Sequence, residues 1–294
     1  MKGMILVAGP ASTYLAEKLA EITGLKLIKL EHKLFPDGES YIRFPEKIEG
    51  QDLLVIQGTH PPQDRHLIQA YFIAENAIDL GAKSVSLIAP YLAYARQDKR
   101  FLEGEILSIK SVLGMLKSAG YEKIYTVNIH SPWIAESSPI PLINIHAEKA
   151  MARYLKELDV ENPVVVSVGK KGEEMASAVA NELDADYAVA RSSRDRVTGR
   201  VMVELERVQK LKNAIVVDDI ISTGGTMVEV VNALKKMGAE KIYVACVHGL
   251  MIGKAAEKIL NAGAEQIIAS DTIPSEYSKY SVAEVLVEEV IRGK

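Results

Sequence analysis

The chain has 294 residues, a net charge of -4, 48% hydrophobic residues and 25% charged residues. That length exceeds one ordinary domain and suits two, and the apolar fraction is enough to fill a core in each. The acidic balance, with scattered lysines and arginines, argues against nucleic acid as a partner; no run approaches the ~18 apolar residues of a membrane span; and the single cysteine, Cys246, excludes a disulfide framework and reads as a buried structural thiol in a cytoplasmic protein.

Residues 4–8 are predicted to form a strand, and Ser12 to precede a helix with Leu15, Leu19 and Ile22 on one face, stopped by Gly24. A second apolar segment, 25–30, leads into Phe35-Pro36-Asp37-Gly38-Glu39, where Pro-Asp-Gly marks a tight turn. This stretch is either a hairpin tip or a ligand loop, since an exposed Phe can stack on a base while Asp37 and Glu39 accept hydrogen bonds from a ribose or an amino group. A strand at 52–57, a helix at 63–80 and a strand at 84–90 follow. The last strand delivers Tyr94-Ala95-Arg96-Gln97-Asp98-Lys99-Arg100 at its C-terminal end, the edge where open α/β sheets bind ligands. Clustered charges are commonly a solvated loop, but tyrosine beside spread cations also suits a nucleoside triphosphate. A helix at 106–116 and a strand at 123–127 complete the first run, with His130 at the strand's exit, as a structural residue or a metal ligand.

Residues 139–145 read as the crossing between domains, which gives boundaries of 1–145 and 146–294. The alternation then restarts with a helix at 147–158, a strand at 163–168, a helix at 173–183 and strands at 187–190 and 200–204. After the central strand come a strand at 241–247, a helix at 253–262 and a strand at 266–269. Ser281-Val282-Ala283-Glu284 reads as a capping box opening a last helix, which is free to pack back on the first domain. The expected fold class is α/β, two domains that each have a mainly parallel sheet flanked by helices, and their shared plan suggests a duplication.

The densest chemistry lies in residues 214–226. Continuous apolar residues end in Asp218 and Asp219, then Ser222, Thr223, Gly224, Gly225 and Thr226 form a turn into a helix carrying Val228, Val231 and Leu234. The two glycines allow successive backbone N–H groups to converge on an anion, and the helix adds its own unpaired N–H groups. The carboxylates would repel a phosphate, so they face the vicinal hydroxyls of a sugar or a metal ion carried with it. A sugar phosphate satisfies both halves; a strand, capped turn and helix without a ligand is the plain alternative.

Residues 218–226 resemble the phosphoribosyl-binding loop of type I phosphoribosyltransferases and of the ribose-phosphate pyrophosphokinases, and the loop alone does not separate the two. Residues 35–39 resemble the Phe-Pro-Asp-Gly-Glu loop with which the pyrophosphokinases reach into the ATP site of a neighbouring subunit. Residues 94–98 resemble their Tyr-Ala-Arg-Gln-Asp motif for ATP, which simple phosphoribosyltransferases lack. The chain is thus similar to the pyrophosphokinases, archaeal ones included, over essentially its whole length. The resemblance implies two phosphoribosyltransferase-like domains and conversion of ATP and ribose 5-phosphate to phosphoribosyl pyrophosphate (PRPP) and AMP with Mg2+. It implies ATP contacts from Phe35, Asp37, Gly38, Glu39, Arg96, Gln97 and Asp98, at an interface with the first domain and a neighbouring subunit. Asp218, Asp219, Ser222, Thr223, Gly224, Gly225 and Thr226 would hold ribose 5-phosphate. His130 matches the His of an Asp-Leu-His motif that helps place magnesium, with Asn128 in the place of the usual Asp. A homo-oligomer, dimer or hexamer, is implied, or an assembly with an active paralogue.

Two family motifs are altered. Val168-Gly169 stands where Pro-Asp supplies a carboxylate, and Ser192 and Arg194 stand where a mobile loop carries Lys-x-Arg. Cations placed against developing phosphoryl charge are a large part of such catalysis. Arg194 is therefore the remaining catalytic cation, with Arg191 or Arg196 available beside it, while Lys170 and Lys171 add positive charge where the family has negative. The expectation is a pyrophosphokinase of reduced rate, with a non-catalytic paralogue that binds ribose 5-phosphate or nucleotide as the second reading. A base-specific phosphoribosyltransferase, the third, is disfavoured by residues 96–98.

Overall fold

The computed structural model describes residues 3–194, 201–206 and 211–293, and for residues 192–194, 201–204 and 206 the backbone. The chain divides into two units, Met1–His146 with Ala283–Lys294, and Ala147–Val282.

The first unit runs β1 (Met4–Ala8), α1 (Thr13–Thr23), β2 (Leu27–Lys29), β3 (Glu31–Leu34), β4 (Ser40–Arg43), β5 (Asp52–Ile56), α2 (Gln63–Asp79), β6 (Ser84–Ala89), α3 (Ser108–Ser118), β7 (Lys123–Val127), the short α4 (Ile134–Ser137) and β8 (Leu142–Ile145). Six strands form a parallel sheet in the order β2-β1-β5-β6-β7-β8, and β3 and β4 form a separate antiparallel hairpin. Continuous apolar runs such as Leu53 to Ile56 are buried, as parallel strands covered on both faces require. Gly24 ends α1 in the left-handed conformation, its N–H bonded to the Ala20 carbonyl at 2.8 Å. Ile22 is exposed, whereas Leu15 and Leu19 enter the core, so the buried face of α1 is narrower than its spacing predicts. The segment expected as a domain crossing also differs: residues 142–145 are the last strand of this sheet, paired with β7.

The second unit runs α5 (Glu148–Glu157), β9 (Pro163–Val168), a 3-10 turn (Lys170–Gly172), α6 (Glu173–Leu183), β10 (Asp186–Arg194), β11 (Val201–Glu206), β12 (Asn213–Ile221), α7 (Gly225–Lys236), β13 (Lys241–Gly249), α8 (Ala255–Asn261), β14 (Gln266–Ser270) and β15 (Ser278–Tyr280). Its sheet has the order β11-β10-β9-β12-β13-β14-β15, parallel except where β11 folds back on β10. From β10 onward this matches the first unit strand for strand, which supports duplication of one α/β plan. The final helix α9 (Ala283–Leu286), continued by a π-helical turn (Val287–Ile291), packs on α1 and belongs to the first unit.

In each unit the chain first moves outward from one central strand and then the opposite way from its neighbour. The reversal falls between β1 and β5 in one sheet and between β9 and β12 in the other. Crevices at the carboxyl ends of such strand pairs are where open α/β sheets bind ligands.

Candidate active site

In the second unit the crevice is flanked by the end of β9 and the end of β12. Val217 pairs with Ser167, so Asp218 and Asp219 emerge just past the last pair of that ladder, both half-buried. Each carboxylate accepts a following backbone amide at 2.9 Å: Asp218 Oδ1 from Asp219 N, and Asp219 Oδ1 from Ile220 N. Cys246, paired with Asp218 across the ladder, is buried as expected; burial pushes its thiol up, and both carboxylates add to the shift.

Gly224 has φ +75, and a Cβ there would lie 3.2 Å from Ala255 Cβ and 3.3 Å from the Ala255 carbonyl. Glycine is thus required by the fold at 224. Gly225 differs from expectation: its backbone is ordinary and helical, and a Cβ built on it meets nothing within 4 Å. Only one of the two glycines supplies unusual backbone, and the other leaves open space in front of the first turn of α7. The N–H groups of that turn have no intrahelical acceptor, the first helical bond running from Val228 N to Gly224 O at 2.9 Å. Thr223 and Thr226 are exposed beside this space and Ser222 is half-buried. Met227, Val230, Val231 and Leu234 anchor α7 in the core, while Val228 is half-buried.

The altered segment borders the same crevice. Gly169 has φ 76 and ψ 174, a region open essentially to glycine alone. It is pinned there by Gly169 N to Ala190 O at 2.9 Å and by Ser167 Oγ to Gly169 O at 3.1 Å. Lys170 and Lys171 follow on the 3-10 turn, both exposed. Ser192 and Arg194, expected on a loop, have their backbone in β10, paired with Val203 and Val201. Their side chains, and Arg196 altogether, lie outside the described residues. Arg191, opposite Glu204, is exposed.

The first unit's crevice is closed by its own side chains. Gln57 Oε1 accepts from Ala11 N at 3.0 Å, Ser12 Oγ accepts from Gly58 N at 2.7 Å, and a Cβ on Gly9 would lie 2.3 Å from Gln57 Oε1. Among the described residues, side chains therefore fill this topological position in the first unit, whereas in the second none lies within 4 Å of a Cβ built on Gly225.

The first unit instead presents two loops. Residues 35–39 are the tip of the β3–β4 hairpin, with Phe35 N bonded to Glu39 O at 2.9 Å and Glu39 N to Asp37 Oδ1 at 3.1 Å. Gly38 takes φ 94 in the turn. Phe35 is 40% exposed and meets Tyr41 edge-on at 6.1 Å, with Lys33 Nζ 5.1 Å from its ring centroid. At the hairpin's base Arg43 grips Glu31 with two guanidinium nitrogens, which holds the Glu31 carboxyl below its usual range. The second loop follows β6. Arg96 and Gln97 are exposed, Gln97 Oε1 accepts from Ser108 Oγ, and Asp98 Oδ2 is buried without a hydrogen-bond partner among the described residues. Sequence reasoning placed Tyr94 in the ATP motif but missed its left-handed backbone and the supports Thr59 and Asp64, because none of these carries a local signal. Asn128 also takes a positive φ, 37, which Asn tolerates, and His130 lies half-buried two residues on.

No group of three or more His, Cys, Asp or Glu side chains among the described residues is arranged to hold a metal ion. Magnesium is usually bound by one or two carboxylates plus substrate phosphates and water; in the first unit the orphaned Asp98 oxygen calls for a cation or a donor and fits that chemistry, and in the second unit Asp218 and Asp219 offer oxygen donors of the same kind. No helix among the described residues is long and apolar enough to cross a membrane.

Two family models match the chain: the N-terminal domain of ribose phosphate pyrophosphokinase over residues 4–120, and the phosphoribosyl transferase domain over residues 137–273. A ribose-phosphate pyrophosphokinase of Sulfolobus acidocaldarius is 39% identical over 292 residues, with 96% of this chain and 97% of the relative covered. One of Methanothermobacter thermautotrophicus is 38% identical, covering 97% and 99%. The solved structure of a phosphoribosylpyrophosphate synthetase from Mycobacterium smegmatis superposes with a TM-score of 0.86 over all of both chains at 28% identity.

Proposed function

The chain belongs to the ribose-phosphate pyrophosphokinases, and from that membership we propose that it transfers the pyrophosphoryl group of ATP to ribose 5-phosphate, giving PRPP and AMP, with the following division of labour. The observation that carries the residue assignment is the open face of Gly225. At the topological switch point of the second sheet, a Cβ built there would meet no heavy atom of the described residues within 4 Å, which supports room for a phosphate in front of the first-turn amides.

Ribose 5-phosphate is held with its phosphate against Ser222, Thr223, Gly224, Gly225 and Thr226. Asp218 and Asp219 accept hydrogen bonds from the ribose hydroxyls, fixing the anomeric hydroxyl. Phe35, Asp37, Gly38 and Glu39 take the adenosine, and Arg96, Gln97 and Asp98 the triphosphate. The anomeric oxygen attacks the β-phosphorus, the bond from that phosphorus to the α,β-bridging oxygen breaks, and AMP leaves. The chain contributes mainly positioning and cations, as in phosphoryl transfer generally. Mg2+, when bound, would neutralise phosphate charge, and His130 with the Asp98 carboxylate are the residues that would hold it. Arg194 supplies the catalytic cation. A homo-oligomer completes the ATP site through the loop of residues 35–39.

The test is direct. The purified protein is incubated with MgATP and ribose 5-phosphate, and AMP and PRPP are quantified. Equimolar AMP and PRPP are expected; nucleotide and ribose 5-phosphate that bind without turnover would move the chain to the regulatory-paralogue reading.

A further inference from the structure

Tyr94 is the one aromatic residue among the described residues with a positive φ, 66. For a bulky side chain this is a strained backbone state, which persists only where the surroundings impose it. Three tethers do so. On one side, Thr59 Oγ1 donates to Tyr91 O at 3.0 Å and accepts from Ala93 N at 2.7 Å, clamping the entry to the loop. Next, Ala95 is buried in the first unit's core, which fixes the residue after Tyr94. Finally, the Tyr94 hydroxyl donates to Asp64 in the first turn of α2, an interaction that also raises the phenol's pKa.

The left-handed turn has a direct product. Tyr94 O accepts from Gln97 N at 2.9 Å, closing a tight turn that leaves Arg96 and Gln97 exposed at its far side. Resting on the reading that those two residues hold the triphosphate, we propose that Tyr94 and Asp64 are positioning residues: their hydrogen bond between loop and α2 locks the strained turn that presents Arg96 and Gln97 to the nucleotide. Neither touches the reacting atoms. Their effect is to remove conformations of the loop that binding would otherwise have to select against.

Four variants of the full chain test this by calorimetry with MgATP and, separately, ribose 5-phosphate. Tyr94→Phe keeps the ring and loses the hydroxyl; Asp64→Ala loses the acceptor; Asp64→Asn keeps one; Arg96→Ala removes the proposed ligand. Expected are about three- to tenfold weaker MgATP binding in Tyr94→Phe and Asp64→Ala, recovery to within about twofold in Asp64→Asn, and an unchanged ribose 5-phosphate affinity throughout. The Gln97 amide should exchange hydrogen faster in Tyr94→Phe, a readout independent of activity. Weakened binding of both ligands would mark a general folding defect and overturn the proposal. Unchanged MgATP binding in Tyr94→Phe and Asp64→Ala, with Arg96→Ala impaired, would overturn the positioning role and leave the ATP loop standing. Unchanged binding in Arg96→Ala would overturn the reading of the loop itself.

Discussion

Gly225→Val separates binding from folding, because the fold leaves that position empty. A Cβ there meets no heavy atom within 4 Å and the backbone is helical, so the change should alter stability by less than about 0.5 kcal/mol, the helix propensities of Gly and Val differing by a few tenths. The same Cβ projects into the space proposed for the 5-phosphate. Displacing the phosphate from one backbone amide removes a hydrogen bond to a charged group, worth about 1.5–3 kcal/mol, or roughly 10- to 150-fold in affinity. Gly224→Ala is the opposite control. Its left-handed backbone costs about 1–2 kcal/mol for a residue with a side chain, and the new methyl would press on Ala255 and Ile259 at 3.2 Å, so stability should fall. Calorimetry with ribose 5-phosphate and denaturant unfolding of both variants read the two effects separately. Unchanged ribose 5-phosphate affinity in Gly225→Val would remove the phosphate from this cradle, and a stability loss above about 1 kcal/mol would show that the position is not open.

Burial, with His66 adding like-charge repulsion, pushes the His60 imidazole down to about 4 from 6.5, so the fold favours its neutral form. That contribution is fully present above pH ~6.5 and is lost as the pH falls through 6.5 towards 4; wild type should lose about 2–3 kcal/mol more than His60→Asn over that range in denaturant melts, and identical pH profiles would refute it. Phe35→Ala should weaken MgATP binding about two- to tenfold through loss of stacking without changing ribose 5-phosphate affinity, an equal loss for both ligands counting against the role. Light scattering at micromolar concentration should show an oligomer, and a monomer would end the idea that residues 35–39 complete a neighbour's site.

The strands that position the site were legible because parallel strands buried on both faces must be apolar along their length, as Val164 to Val166 and Ile215 to Val217 are. The Pro-Asp-Gly turn likewise announced the hairpin. Other features had no local cause to read. Leu142–Ile145 follows two prolines and contains Asn144, so it looks like a connector; its strand state comes from pairing with β7. β15, Ser-Lys-Tyr, is too short and polar to show alternation and exists because β14 offers it a partner. The left-handed state of Tyr94 is imposed by Thr59 and Asp64, more than 29 residues distant in sequence. Glycine spacing could suggest flexible backbone at 224 and 225 but could not say which of the two needed it.

The backbone at Gly169 also decides how the altered segment can be repaired. Returning the family's carboxylate there would place an Asp at φ 76 and ψ 174, a state costing about 1–3 kcal/mol for any residue with a Cβ. The turn cannot relax freely, because the Gly169 amide and carbonyl are both engaged, by Ala190 O at 2.9 Å and Ser167 Oγ at 3.1 Å. Gly169→Asp should therefore lower the unfolding midpoint and add little to the rate. Position 192 carries no such constraint: its backbone lies in β10 opposite Val203, a regular strand state open to lysine. Ser192→Lys places a second cation two residues before Arg194, and cations against the transferring phosphoryl group are worth about 10³–10⁵ in related reactions. Even partial recovery should raise the rate of AMP formation by about tenfold or more, with ribose 5-phosphate affinity unchanged. If the natural chain already turns over as fast as a relative with an intact Lys-x-Arg pair, and Ser192→Lys adds nothing, then Arg191, Arg194 or Lys170 already supplies the charge, and the catalytic cations of this chain sit on β10 or on the 3-10 turn after β9.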